Sequence, residues 1–92
     1  ISINKNQSMN KLIYISATWC QPCRTFSPIM AKVAESGVPV QKMDADEDQE
    51  TVIKYGVRNI PTVLKVDAEG NMISKFVGVK TAQQVIDFYN NN

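Results

Sequence analysis

Ninety-two residues, 43% of them hydrophobic, suffice for one domain (1–92) with its own core, above the size at which metals or extra disulfides become obligatory. Ten basic against nine acidic residues leave a net charge of +1, which argues against nucleic-acid binding through a broad basic face. No run approaches the roughly 20 apolar residues that span a bilayer, so no membrane association is expected. No signal-like segment is visible. A cytoplasmic location is therefore the expectation, weakened by a chain that starts at Ile1 rather than Met.

Residues 11–17 (Lys-Leu-Ile-Tyr-Ile-Ser-Ala) read as a strand, rich in β-branched and aromatic residues and continuously apolar through the middle, as suits burial on both faces. From Cys23 to Ser36 the period becomes helical, with Phe26, Met30, Val33 and Ala34 on one face, a kink expected at Pro28 and a stop at Gly37. Val38 to Met43 is a second strand, and a helix over roughly 48–55 ends before Gly56. The acidic stretch Asp44, Asp46, Glu47, Asp48 and Glu50 reads as a solvated loop and helix start rather than a metal or partner site, because carboxylates favour a helix's first turn. Thr62–Val66 and Met72–Val77 form a hairpin around a turn at Ala68-Glu69-Gly70-Asn71. Thr81, with Gln84 three residues on, makes a capping box for a last helix whose Val85, Phe88 and Tyr89 face the core. The first two connections are expected to be right-handed crossovers between parallel neighbours, with the hairpin adding an antiparallel edge. Ile1 and Ile3 alternate with polar residues and suggest a short extra edge strand, and the Asn90-Asn91-Asn92 tail is expected to fray.

The chemistry lies in Trp19-Cys20-Gln21-Pro22-Cys23, at the junction of strand and helix. Two cysteines two residues apart do not make the framework of a disulfide-stabilised secreted domain. The pair is either a redox centre or half a metal site, and with no histidine in the chain a zinc or iron–sulfur site would need a second chain. Positions i and i+3 on a helix are neighbours, which suits disulfide geometry. Cys20 at the helix N-terminus would have its thiolate stabilised by free N–H groups and the macrodipole. Pro22 fits the first turn, where its missing N–H costs nothing. Cys23 should lie one turn deeper and be less exposed. Cys20 is thus the attacking thiol and Cys23 the resolving one.

Ser16 to Cys23 resembles the active-site segment of the thioredoxin family, in which Trp-Cys-Gly-Pro-Cys is the usual form. Pro28, the stretch Lys54 to Thr62 with Ile60-Pro61, and Gly78 after Phe76-Val77 match further family positions in order. The resemblance implies a thioredoxin fold, an α/β arrangement with a central four-stranded mixed sheet and three flanking helices. It implies a cis Ile60-Pro61 bond beside the cysteines, and an apolar docking rim of Trp19, Ile60, Pro61, Val77, Gly78 and Val79. It implies a protein-disulfide reductase with no bound cofactor, acting as a monomer on disulfide-containing proteins and recharged by a thioredoxin reductase. A disulfide oxidase or isomerase, or a thioredoxin-like binding subunit, is the alternative.

Three departures from the family stand out. Gln21 replaces the usual glycine between the cysteines and brings no positive charge, which leans toward a reductant. Tyr14 aligns with the family's buried aspartate, and its phenol is a poor proton acceptor. Lys42, which aligns with the lysine accompanying that aspartate, or water is expected to assist Cys23 instead. The stretch ahead of the first strand is too short for the family's usual extra strand and helix, leaving a sheet edge less covered.

Overall fold

The computed structural model describes residues 10–91. In chain order the elements are β1 (Lys11–Ser16), α1 (Gln21–Glu35), β2 (Val40–Asp44), α2 (Gln49–Lys54), β3 (Thr62–Val66), β4 (Met72–Val77) and α3 (Ala82–Asn90). The strands form one mixed sheet in the order β2-β1-β3-β4. β1 runs parallel to β2 with Ser16 beside Asp44, and antiparallel to β3 with Ile15 opposite Thr62.

β1 owes its central position to an apolar run buried on both sides. Leu12 and Tyr14 point to one face with Phe26, Met30 and Val33 of α1, Val63, and Val85 of α3. Ile13 and Ile15 point to the other with Leu64 and Val66, covered by Met43, Val52, Tyr55, Val57 and Ile60. Each fully buried aliphatic or aromatic side chain contributes about 1.5–3 kcal/mol. Edge-on ring pairs link Tyr14 to Phe26 at 5.4 Å and Phe76 to Phe88 at 4.9 Å between centroids, a contact worth about 0.5–1.5 kcal/mol beyond its area.

Four details differ from the sequence reading. The second connection is not a parallel crossover: α2 and residues 55–61 double back, and β3 starts at the same end of the sheet where β1 and β2 finish. This reversal carries Ile60, which precedes Pro61, onto the cysteine cluster. α1 begins two residues early because Cys20 serves as its N-cap. β2 begins later than expected, after Pro39, which has no N–H for a ladder and contributes only its carbonyl, to the Leu12 N–H at 2.9 Å. Ala34 is exposed, since at 100° per residue it lies roughly 80° around the helix from Phe26 and rolls off the sheet edge.

The caps follow the expected chemistry. α1 stops at Gly37, whose φ of +108° suits glycine. Asp48 caps α2 by accepting from the Thr51 N–H, and Thr81 and Gln84 form the reciprocal capping box of α3. Asn90 closes α3, and Asn91 is held by its own N–H to Asp87 and by the Lys65 ammonium on its carbonyl; the expected fraying does not extend to them. The strand suggested at Ile1 and Ile3, and Asn92, lie outside the described residues. No helix among the described residues is long and apolar enough to cross a membrane.

A candidate redox site at one end of the sheet

The ends of β1 and β2, the start of β3 and the end of β4 meet at one end of the sheet. Cys20 and Cys23 sit there as a disulfide, with Cα atoms 5.3 Å apart. Cys20 has an extended backbone (φ −87°, ψ 111°) and its Sγ accepts the Cys23 N–H at 3.2 Å. The sulfur therefore takes the place that a Ser or Asp oxygen usually holds at a helix start. The Cys23 N–H, which would otherwise be orphaned, faces the atom that becomes negative on reduction. Gln21 and Pro22 form the exposed first turn.

The expected difference in exposure between the two cysteines is absent from the disulfide form: both are 3% accessible. The bond ties the sulfurs together under a common cover of Ala17 and Ile60. What distinguishes them is direction. Cys23 borders the cleft between α1 and β2, and Cys20 does not line it.

On the first side, the Ile60–Pro61 peptide bond is cis, Pro61 is buried, and Ile60 packs against the cluster of Ala17, Cys20 and Cys23. The Pro61 carbonyl accepts the Gly78 N–H at 2.9 Å, and Gly78 holds φ +100°. Val77 and Val79 flank it, 52% and 44% exposed. Trp19 is 66% exposed, and its indole N–H donates to Asp46 Oδ2 at 2.8 Å. Asp46 gave no sign of this in the sequence, being one carboxylate of an acidic run.

On the second side, a cleft of about 780 Å³ runs between α1 and β2, lined by Cys23, Arg24 and Ser27, by Lys42, Asp44 and Glu47, and by Ser16 to Thr18 and Pro28. Tyr14 is buried beneath it, its hydroxyl 2.9 Å from Ser27 Oγ and 3.3 Å from the Cys23 carbonyl, to which it donates. Burial pushes the Tyr14 phenol above its ordinary pKa, partly offset by hydrogen bonds with Ser27 and Ser16. It stays neutral and cannot act as the family's aspartate would. Lys42 stands beside Tyr14 in the sheet register, with Nζ 5.8 Å from the ring centroid. Ser27 and Arg24 carry no signal in the sequence, and Asp44 reads there only as part of a solvated acidic stretch, since nothing signals that α1 and β2 share a cleft.

The sequence model of the thioredoxin family matches residues 2–91. A thioredoxin of Rickettsia bellii is 39% identical over 84 residues, which cover 88% of this chain and 79% of that one. A thioredoxin of Listeria monocytogenes is 32% identical over 77 residues, covering 80% and 74% of the two chains. Among solved structures, a mutant thioredoxin from Halobacterium salinarum superposes with a TM-score of 0.82 at 29% identity, covering 96% of this chain and 76% of that one. The oxidised thioredoxin of Plasmodium falciparum, at 22% identity and a TM-score of 0.76 over 97% of this chain and 86% of that one, shares the fold. A disulfide whose first sulfur caps a helix, set in this fold and among these relatives, leads to one conclusion: the chain belongs to the thioredoxin family and is a thiol–disulfide oxidoreductase with Cys20 and Cys23 as its redox pair.

Proposed function

We propose that this chain, as one domain over 1–92, works as a reductant of protein disulfides. The observation that carries the reading is the Cys20 sulfur at the N-cap of α1, accepting a helix N–H. A thiolate so placed is stabilised and is the species that attacks. In the reduced chain the Cys20 thiolate attacks one sulfur of a substrate disulfide, and the other sulfur leaves as a thiolate. Cys23 then attacks Cys20 Sγ, expels the second substrate thiolate and restores the Cys20–Cys23 bond. Two electrons pass to the substrate, and a thioredoxin reductase returns them.

Trp19, Ile60, Pro61, Val77 and Gly78 are the docking rim for an extended substrate segment, with backbone pairing alongside Pro61 and Gly78. Gln21 and Pro22 shape the turn that presents Cys20. Lys42 supports Cys23 from the cleft, where a cation favours the thiolate. The chain acts as a monomer in the cytoplasm. The test is a mixed-disulfide trap. Cys23→Ser should accumulate a covalent complex with a disulfide-containing protein at Cys20, and Cys20→Ser should accumulate none. Equal trapping by both variants would defeat the assignment. For Lys42, a resolution rate unchanged by Lys42→Ala from pH 6 to 9 would remove it from the mechanism.

A further inference from the structure

Resolution requires Cys23 to lose a proton, and the position from which the family's aspartate would take it holds a neutral, hydrogen-bonded Tyr14. We infer that the proton acceptor of this chain has moved one strand over, to Asp44, which takes the Cys23 proton through water in the cleft between α1 and β2. The inference rests on the thiol–disulfide cycle proposed above and names a residue within it.

Placement supports this assignment. Asp44 ends β2 directly beside Ser16, as Lys42 lies beside Tyr14. Residues two apart on a strand share a face, so Asp44 and Lys42 both turn toward α1, and both line the cleft that Cys23 borders. At about 780 Å³, the cleft has room for several waters, each of which takes about 30 Å³.

The oxygens of Asp44 divide the work. Oδ1 is occupied, accepting the N–H groups of Asp46 at 2.8 Å and Glu47 at 3.3 Å. Among the described residues no donor meets Oδ2, which is left for water. The other charged groups around the cleft are Arg24 from α1, Lys42 from the same strand and Glu47 from the loop that follows. Arg24 and Lys42 offset the charge of Glu47 and Asp44, so the cleft does not repel the thiolate. The proton moves from Cys23 Sγ to Asp44 and on to solvent. The Cys23 thiolate forms the S–S bond with Cys20, and the Cys20–substrate bond breaks with its electron pair on the substrate sulfur.

The test is stopped-flow reaction of the reduced chain with an excess of an aromatic disulfide, 5,5′-dithiobis(2-nitrobenzoate), from pH 5 to 9. The first coloured thiol released reports attack by Cys20, and the second reports resolution by Cys23. Asp44→Asn keeps the Oδ1 acceptor that shapes the turn and loses only the base. General-base catalysis is worth about 10²–10⁴-fold, so the second phase should slow at least tenfold near pH 6 and gain a steep dependence on hydroxide, with the first phase unchanged. A second phase equal to that of the parent chain across the range overturns the inference, as does a slowing produced by Glu47→Gln and not by Asp44→Asn. If Asp44→Asn does not fold, the parent chain decides: a resolution rate that falls tenfold for each pH unit from 8 to 6 excludes a carboxylate acceptor, and one that holds nearly level supports it. Absence of the first phase would instead defeat the disulfide-exchange reading itself.

Discussion

The indole N–H of Trp19 and the carboxylate of Asp46, 27 positions apart in sequence, are joined by a 2.8 Å hydrogen bond across the mouth of the redox site. The bond fixes a large, 66% exposed ring that would otherwise sample several rotamers. A charged acceptor makes it stronger than a neutral pair, and its exposure to solvent brings it back to about 1 kcal/mol. Asp46→Ala should therefore raise KM for a protein disulfide about fivefold with kcat little changed, and lower unfolding stability by no more than about 1 kcal/mol. Steady-state kinetics beside a urea titration checks both. An equal loss in both constants would show that Asp46 does more than hold the ring.

Gly78 offers a cleaner test of the docking rim. Nothing lies within 4 Å of a Cβ built on it, but its φ is +100°. The cost of Gly78→Ala is then purely one of backbone strain, about 1–3 kcal/mol, and it should be seen as a lower urea midpoint with an unchanged slope. If the strain is relieved by moving the chain, the N–H bond to Pro61 is lost, and substrate turnover should fall with stability.

Removing the Tyr14 hydroxyl separates packing from chemistry. Tyr14→Phe deletes the bonds to Ser27 and the Cys23 carbonyl and should cost about 0.5–1.5 kcal/mol. Resolution by Cys23 should stay within about twofold, because the hydroxyl takes no proton. The phenol's pKa is raised in the folded chain, so above the unfolded value of about 10 the folded state holds the extra proton. Stability contributed by Tyr14 is complete below that pH and is lost as pH climbs through the folded pKa. Tyr14→Phe should lack this alkaline loss in a denaturation series.

Lys65 gives the opposite slope. Its stem is buried on the α1 and α3 face, and its ammonium caps the end of α3 at the Asn91 carbonyl, 5.8 Å from the Tyr89 ring centroid. Burial lowers its pKa. Between that lowered value and the unfolded one the unfolded chain binds more protons, so stability rises with pH across the window. Lys65→Met keeps the stem and should abolish this rise. Urea midpoints between pH 8 and 11 would show it as a flatter profile.

The residues that spoke through local chemistry were legible in the sequence. Cys20, Pro22 and Cys23 announce a helix start, Thr81 and Gln84 a capping box, and Gly37 a stop. The β1 run from Leu12 to Ile15 announced a central strand because burial on two faces leaves no polar alternation. What the sequence did not reveal depends on how elements turn relative to one another. The reversal after α2 that makes β3 antiparallel to β1 has no local signature, and the position of Ile60-Pro61 beside the cysteines is legible only through the family resemblance. Asp44 and Asp46 look alike in an acidic run; the fold ends β2 at Asp44, on the cleft that Cys23 borders, and leaves Asp46 in the turn beyond, where it meets the Trp19 indole. The equal burial of Cys20 and Cys23 was missed because helix depth sets exposure only until a disulfide and the Ile60 cover override it.

The most direct measurement is the reduction potential of the Cys20–Cys23 disulfide, taken by equilibration against defined dithiol buffers and trapping of free thiols. A reductant of protein disulfides must be more reducing than the glutathione pool, at about −220 to −260 mV by extraction, with each 30 mV worth about 1.4 kcal/mol. A potential below that range is the predicted result. A potential near the range of strong oxidants, about −120 to −180 mV, would contradict it and make the chain a donor of disulfides.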